Sequence, residues 1–94
     1  MYARVIRIAL PADQVEQATA GITQGASNLK SAPGFQHAEW ILERESSTII
    51  SVVVFDSEAN ADAAWESLGK AAMERITAMG GSHTRGGGEV IHHL

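Results

Sequence analysis

The stretch Ser47-Thr48-Ile49-Ile50-Ser51-Val52-Val53-Val54-Phe55 constrains this chain more than any other. Its β-branched and aromatic content, bounded by Ser46-Ser47 and Asp56-Ser57, predicts a strand. Successive strand side chains point to opposite faces, so Ile50, Val52 and Val54 share one side while Ile49, Val53 and Phe55 share the other. Both faces are apolar, and such a strand needs cover above and below. A chain of 94 residues supplies helices for one face only, so the second is expected to meet another copy of the same chain.

The remaining elements follow from periodicity. Tyr2, Arg4, Ile6, Ile8 and Leu10 alternate with Ala3, Val5, Arg7 and Ala9, which predicts a strand with one filled and one mixed face. Arg7, on the mixed face, is read as a salt-bridge or interface residue. Asp13 and Glu16 have the spacing of a capping box, predicting a helix start. Val15, Ala18, Ile22, Ala26 and Leu29 then form an apolar stripe through to Lys30. Gly21 and Gly25 lie beside that stripe and are read as close packing against the sheet. Ser31-Ala32-Pro33-Gly34 ends the helix.

A second strand is predicted over Phe35 to Glu45, with Ala38, Trp40 and Leu42 on one face and His37, Glu39, Ile41 and Glu43 on the other. Glu45-Ser46-Ser47 turns the chain into the apolar strand as a hairpin. Ser57 and Glu58 open a second helix whose buried side is Ala61, Ala64, Trp65, Leu68, Ala72, Ile76 and Met79. Gly69 is a candidate break in it, and Gly80-Gly81 its end. Gly86-Gly87-Gly88 reads as a flexible turn, followed by a short closing strand in Glu89 to Leu94. The order β-α-β-β-α-β predicts an α+β, ferredoxin-like domain over residues 1–94: a four-stranded antiparallel sheet with two helices on one face.

Composition excludes several function classes. A formal charge of −4, with no basic cluster interleaved with aromatics, argues against nucleic acid as a partner. With no cysteine there is no disulfide, thiolate metal site or Cys nucleophile. No run approaches the roughly 18 apolar residues of a membrane span, and no signal-peptide core is seen, so a cytoplasmic address is expected. The glycine run lacks the Lys-Ser/Thr of a phosphate loop, and no nucleophile elbow, dinucleotide fingerprint or His-Glu-x-x-His occurs.

Three groups of side chains remain as candidates. Trp40 and Trp65 would line one cavity if the strand and helix that carry them face each other, with Leu68 beside them; the alternative is that both tryptophans are core anchors. His37 and Glu39 share a strand face and could pair an acid with a base. A metal there would need a third ligand from His83, His92 or His93, and adjacent His92 and His93 point oppositely on a strand; no metal is assigned.

The Ser31-Ala32-Pro33-Gly34-Phe35 turn, the strand Ile49 to Phe55, the Asp56-Ser57-Glu58-Ala59 lead-in to a helix and Trp65 within it resemble the antibiotic biosynthesis monooxygenase superfamily of dimeric α/β barrels. The resemblance spans nearly the whole chain. It implies a homodimer, and an activity of one of two kinds: cofactor-independent oxidation of aromatic polyketides to quinones, or haem degradation. In the haem-degrading branch a helix-two His binds iron; at that distance beyond Trp65 this chain has Glu74 and Arg75, and its first strand has no Asn. In the quinone-forming branch an Asn and a Trp of helix two work with a Tyr. Asn60 and Trp65 match the first two, and the sole tyrosine is Tyr2.

The resemblance therefore implies a monooxygenase that works without metal or flavin on an aromatic polyketide-like substrate. Trp65 would shape the pocket, Asn60 hydrogen-bond an oxygen and His37 act as base. The alternative is a non-catalytic ligand-binding or structural dimeric barrel. A cavity beside Trp65 large enough for a ring separates the two readings.

Overall fold

The computed structural model describes every residue from Met1 to Leu94. Four strands, β1 (Tyr2–Ala9), β2 (Phe35–Glu43), β3 (Thr48–Phe55) and β4 (Ser82–Glu89), form one sheet in the order β2-β3-β1-β4. Every neighbouring pair is antiparallel. The apolar stretch is thus a central strand, flanked by β1 and β2 as its two-faced character requires. Helix α1 (Val15–Lys30) joins β1 to β2. Helices α2 (Glu58–Ala64) and α3 (Lys70–Ala78) run on through one π-helical turn, Trp65–Gly69, and join β3 to β4. This is the ferredoxin-like arrangement, with both helical segments against one face of the sheet.

Local chemistry sets the boundaries. Ser57 caps α2, its Oγ accepting from the Asn60 backbone N–H at 3.2 Å. Gly34, at φ +76°, turns the chain into β2, and its carbonyl accepts from the Asp56 N–H at 2.8 Å. A side chain at Gly34 would strike Asp56 and Asn60, so the glycine is required twice over. The expected Asp13 cap is not made: Ala12–Gln14 form a 3-10 turn closed by Gln14 N–H on the Pro11 carbonyl at 3.0 Å, and α1 begins at Val15. The hairpin between β2 and β3 spans residues 44–47, one residue earlier than expected, with Ser47 at φ +51°.

The C-terminal reading needs a larger correction. Gly86-Gly87-Gly88 is not a turn but the second half of β4, registered opposite Val5, Arg4 and Ala3, while residues beyond Glu89 are not strand. The missing side chain is needed at Gly87, where a Cβ would meet the Tyr2 hydroxyl at 2.6 Å and the Ala3 carbonyl at 2.8 Å. After β4 the Val90 N–H donates to the Met1 carbonyl at 2.9 Å. The chain then runs to the opposite edge of the sheet, where His93 stacks on His37 with ring centroids 5.7 Å apart.

The core lies between the sheet and the helices and comes in two parts. Ile6, Ile8, Leu10 and Ile49 pack with Val15, Ala18, Met73 and Ile76. Val53 and Phe55 pack with Ala61 and Ala64. Trp40 touches both groups. On the other side of the sheet, Arg7 Nη2 reaches across β3 to Glu43 Oε1 at 2.8 Å, as a salt-bridge residue. Val5 and Ile41 on that face remain 38% and 46% exposed, and Ile50 and Val52 beside them are half-buried. No helix is long and apolar enough to cross a membrane.

Candidate functional site

The two halves of the core do not close on each other. Between them is an apolar cavity of about 200 Å³. The strand alternation supplies its floor: Ile6, Ile8, Trp40, Ser51, Val53 and Phe55 all project to the helix side. α1 supplies one wall, and Ala61, Ala64, Trp65, Leu68 and Ala72 supply the other. Trp40, Trp65 and Leu68 therefore share one cavity. Of its 24 lining residues 17 are hydrophobic, the make-up of a site that takes an apolar ligand and orients it with few polar groups.

Two sequence details make the space. Gly21 and Gly25 border it from α1, and a Cβ built on either meets nothing within 4 Å. The expectation that they pack closely on the sheet is overturned: they stand off from it, and the volume that larger side chains would fill is left open. Each costs about 1 kcal/mol of helix stability relative to alanine, without any steric need. Opposite them, the π-helical turn presents Trp65. Gly69 is needed there, because a Cβ would lie 2.5 Å from Trp65 Cε3; the indole rests on the glycine. π-helical turns inside α-helices occur frequently at functional sites.

Around Trp65 the structure gathers residues that the sequence reading left apart. Arg85 lies over the indole with its Cζ 3.9 Å from the ring centroid, and the His83 ring is at 6.1 Å. Both come from β4, at register positions opposite Ile6 and Ile8. The signal that could have found them is alternation through Ser82 to Glu89, hidden by the glycines. Arg4 was also missed. It lines the cavity from β1 with its side chain 14% exposed, and its Nη2 donates to Asp62 Oδ1 at 2.6 Å.

His37 and Asn60 are placed elsewhere. His37 is exposed on the sheet face away from the helices, opposite in alternation to Trp40, and stacks on His93. Asn60 Nδ2 donates to Asp56 Oδ1 at 2.7 Å and packs over Gly34, and Asn60 is not among the cavity residues. Glu39 shares the face of His37. His83 lies on the helix side beside Trp65, so the histidines do not gather into one ligand set. The cavity wall itself carries no carboxylate, imidazole or phenol; its polar side chains are Arg4, Asn28, Ser51 and Arg75.

No protein-family model and no curated protein matches the sequence. Solved structures do match. An antibiotic biosynthesis monooxygenase-like protein from Deinococcus radiodurans superposes with a TM-score of 0.87 over 100% of this chain and 96% of its own, at 8% identity. The fold is that of the antibiotic biosynthesis monooxygenases. Two further structures share this fold. The cofactor-independent oxygenase SnoaB from Streptomyces nogalater has a TM-score of 0.75 and 16% identity, covering 99% of this chain and 95% of its own. The monooxygenase ActVA-Orf6 from Streptomyces coelicolor, solved with nanaomycin D, has a TM-score of 0.79 and 12% identity, covering 99% and 89%.

Proposed function

We propose that the protein binds an electron-rich aromatic compound in the Trp40–Trp65 cavity and promotes its reaction with molecular oxygen. The observation that carries this reading is the cavity itself: a filled interior would have left only a structural role. The monooxygenase fold, shared with the oxygenases SnoaB and ActVA-Orf6, supports the reaction class. In such a step the deprotonated ring gives its electrons to O2; one oxygen atom is kept by the ring as a quinone oxygen and the other leaves as water. The protein's part is to exclude water, hold the ring flat and stabilise the developing oxyanion.

Trp40, Trp65 and Leu68 would shape the cavity. The proposal gives no chemical part to His37 or Asn60, which the fold directs elsewhere. Because the wall holds no side chain suited to remove a proton, the substrate must be acidic enough to ionise in place. That same observation favours a second reading, a binding protein that carries such a ring without transforming it.

The homodimer belongs to this proposal. A second copy would cover the strip of Val5, Ile41, Ile50 and Val52, completing the burial of the central strand. Oxygen uptake with 1,2-dihydroxynaphthalene, whose two fused rings fit the cavity, tests the reaction. Uptake above the no-protein rate, reduced in Trp65→Phe, is expected; uptake equal to that rate leaves the binding reading.

A further inference from the structure

We propose that Arg4 makes the cavity selective for a small aromatic anion, one or two rings bearing a carboxylate or phenolate oxygen. This rests on the cavity reading above and adds to it the charge and size of the ligand. Size comes first. An apolar cavity of about 150 Å³ takes benzene, so about 200 Å³ houses one or two fused rings. A larger polycycle would project out between the helices.

Charge comes from Arg4. The guanidinium is permanently cationic and carries five N–H donors. It is set into the cavity wall by its place on β1, opposite the side-chain-free Gly87, with the Tyr2 ring 5.4 Å from its Cζ. Its donors are poorly used. Nη2 donates to Asp62, a carboxylate that is itself 62% exposed. Nη1 makes only a long contact of 3.4 Å to the Gly86 carbonyl. Nε is buried and has no acceptor at all. A buried donor left unpaired is unfavourable; Nε is closed off from the cavity space, and Nη1, held only by the long Gly86 contact, is the donor that a ligand in the cavity would draw on. An anionic oxygen on a bound ring would then receive a charge-assisted hydrogen bond. No carboxylate on the wall opposes such a ligand, and the other cation there, Arg75, is exposed.

The test uses the protein's own tryptophans, since both line the cavity and their emission reports occupancy. Titration with 1-naphthoate and with its neutral analogue 1-naphthamide is expected to show the anion binding roughly ten-fold tighter, as a charge-assisted hydrogen bond implies. Arg4→Gln should remove that preference, weakening 1-naphthoate roughly ten-fold more than 1-naphthamide. Asp62→Asn, at an exposed position, frees a guanidinium donor and should strengthen 1-naphthoate binding roughly three-fold, and it decides the matter if Arg4→Gln does not fold. Equal affinity for the two ligands, equal weakening of both by Arg4→Gln, or no gain in Asp62→Asn overturns this inference alone. Silence from both ligands overturns the cavity reading and this inference with it.

Discussion

Replacing Gly21 and Gly25 together with alanine should stabilise the protein while shrinking its cavity. Both lie within α1, and at both an added Cβ meets nothing within 4 Å, so no steric term opposes the change. The gain is conformational: about 1 kcal/mol at each position, hence about 2 kcal/mol for the pair. Burial of the new methyl groups adds a fraction of the roughly 0.8 kcal/mol for a fully buried carbon. For a domain of this size each kcal/mol moves the melting temperature by about 4–8 °C, so the double variant should melt about 8–16 °C higher. Thermal denaturation followed by circular dichroism reads this directly. A fall in melting temperature would mean that α1 sits close on the sheet at these glycines and would refute the account of how the cavity arises. Gly25→Leu extends the test: it should stay folded and lose affinity for aromatic ligands.

Three further outcomes follow from the geometry. Gly69→Ala should destabilise by about 1–3 kcal/mol and alter the near-ultraviolet circular dichroism, because its Cβ would strike Trp65. Gly87→Ala should cost a similar amount by thermal melting, whereas Gly86→Ala, whose Cβ meets nothing within 4 Å, should be near neutral; equal effects would contradict the placement of these glycines in β4. Val5→Lys with Ile41→Lys should convert a dimer to a monomer in light scattering without lowering helix content, and a wild-type mass equal to one chain would refute the proposed pairing.

The fold was largely legible because periods of 2 and 3.6 separate the strands from the helices, and because Ile49 to Phe55 leaves a central strand as its only place. The same alternation put Trp40 toward the helices, and Trp65 and Leu68 fell on the buried stripe of the second helix. It also set His37 on the face opposite Trp40, so the strand pattern already separated these two candidates. β4 was not legible. Glycine carries no hydrophobic signal and weakens a strand, and what holds Gly86 to Gly88 in the sheet is pairing with β1 and the space demanded by Tyr2, neither visible locally. Nor was the cavity. Glycine in a helix is compatible with close approach and with vacancy alike, and only the distance between α1 and the sheet decides which. Arg85 and His83 were lost with β4. Arg4 was hidden by its place in an otherwise apolar strand face, where a long cation can serve packing as readily as binding.

The central claim is that the space between Trp40 and Trp65 receives an aromatic ring, and a crystal structure of the protein soaked with 1-bromonaphthalene tests it most directly. The account predicts one anomalous bromine peak inside the cavity, between the two indoles and bordered by Gly25. Bromine found only on the outer face of the sheet, or an interior closed by side chains with no peak at all, would contradict it.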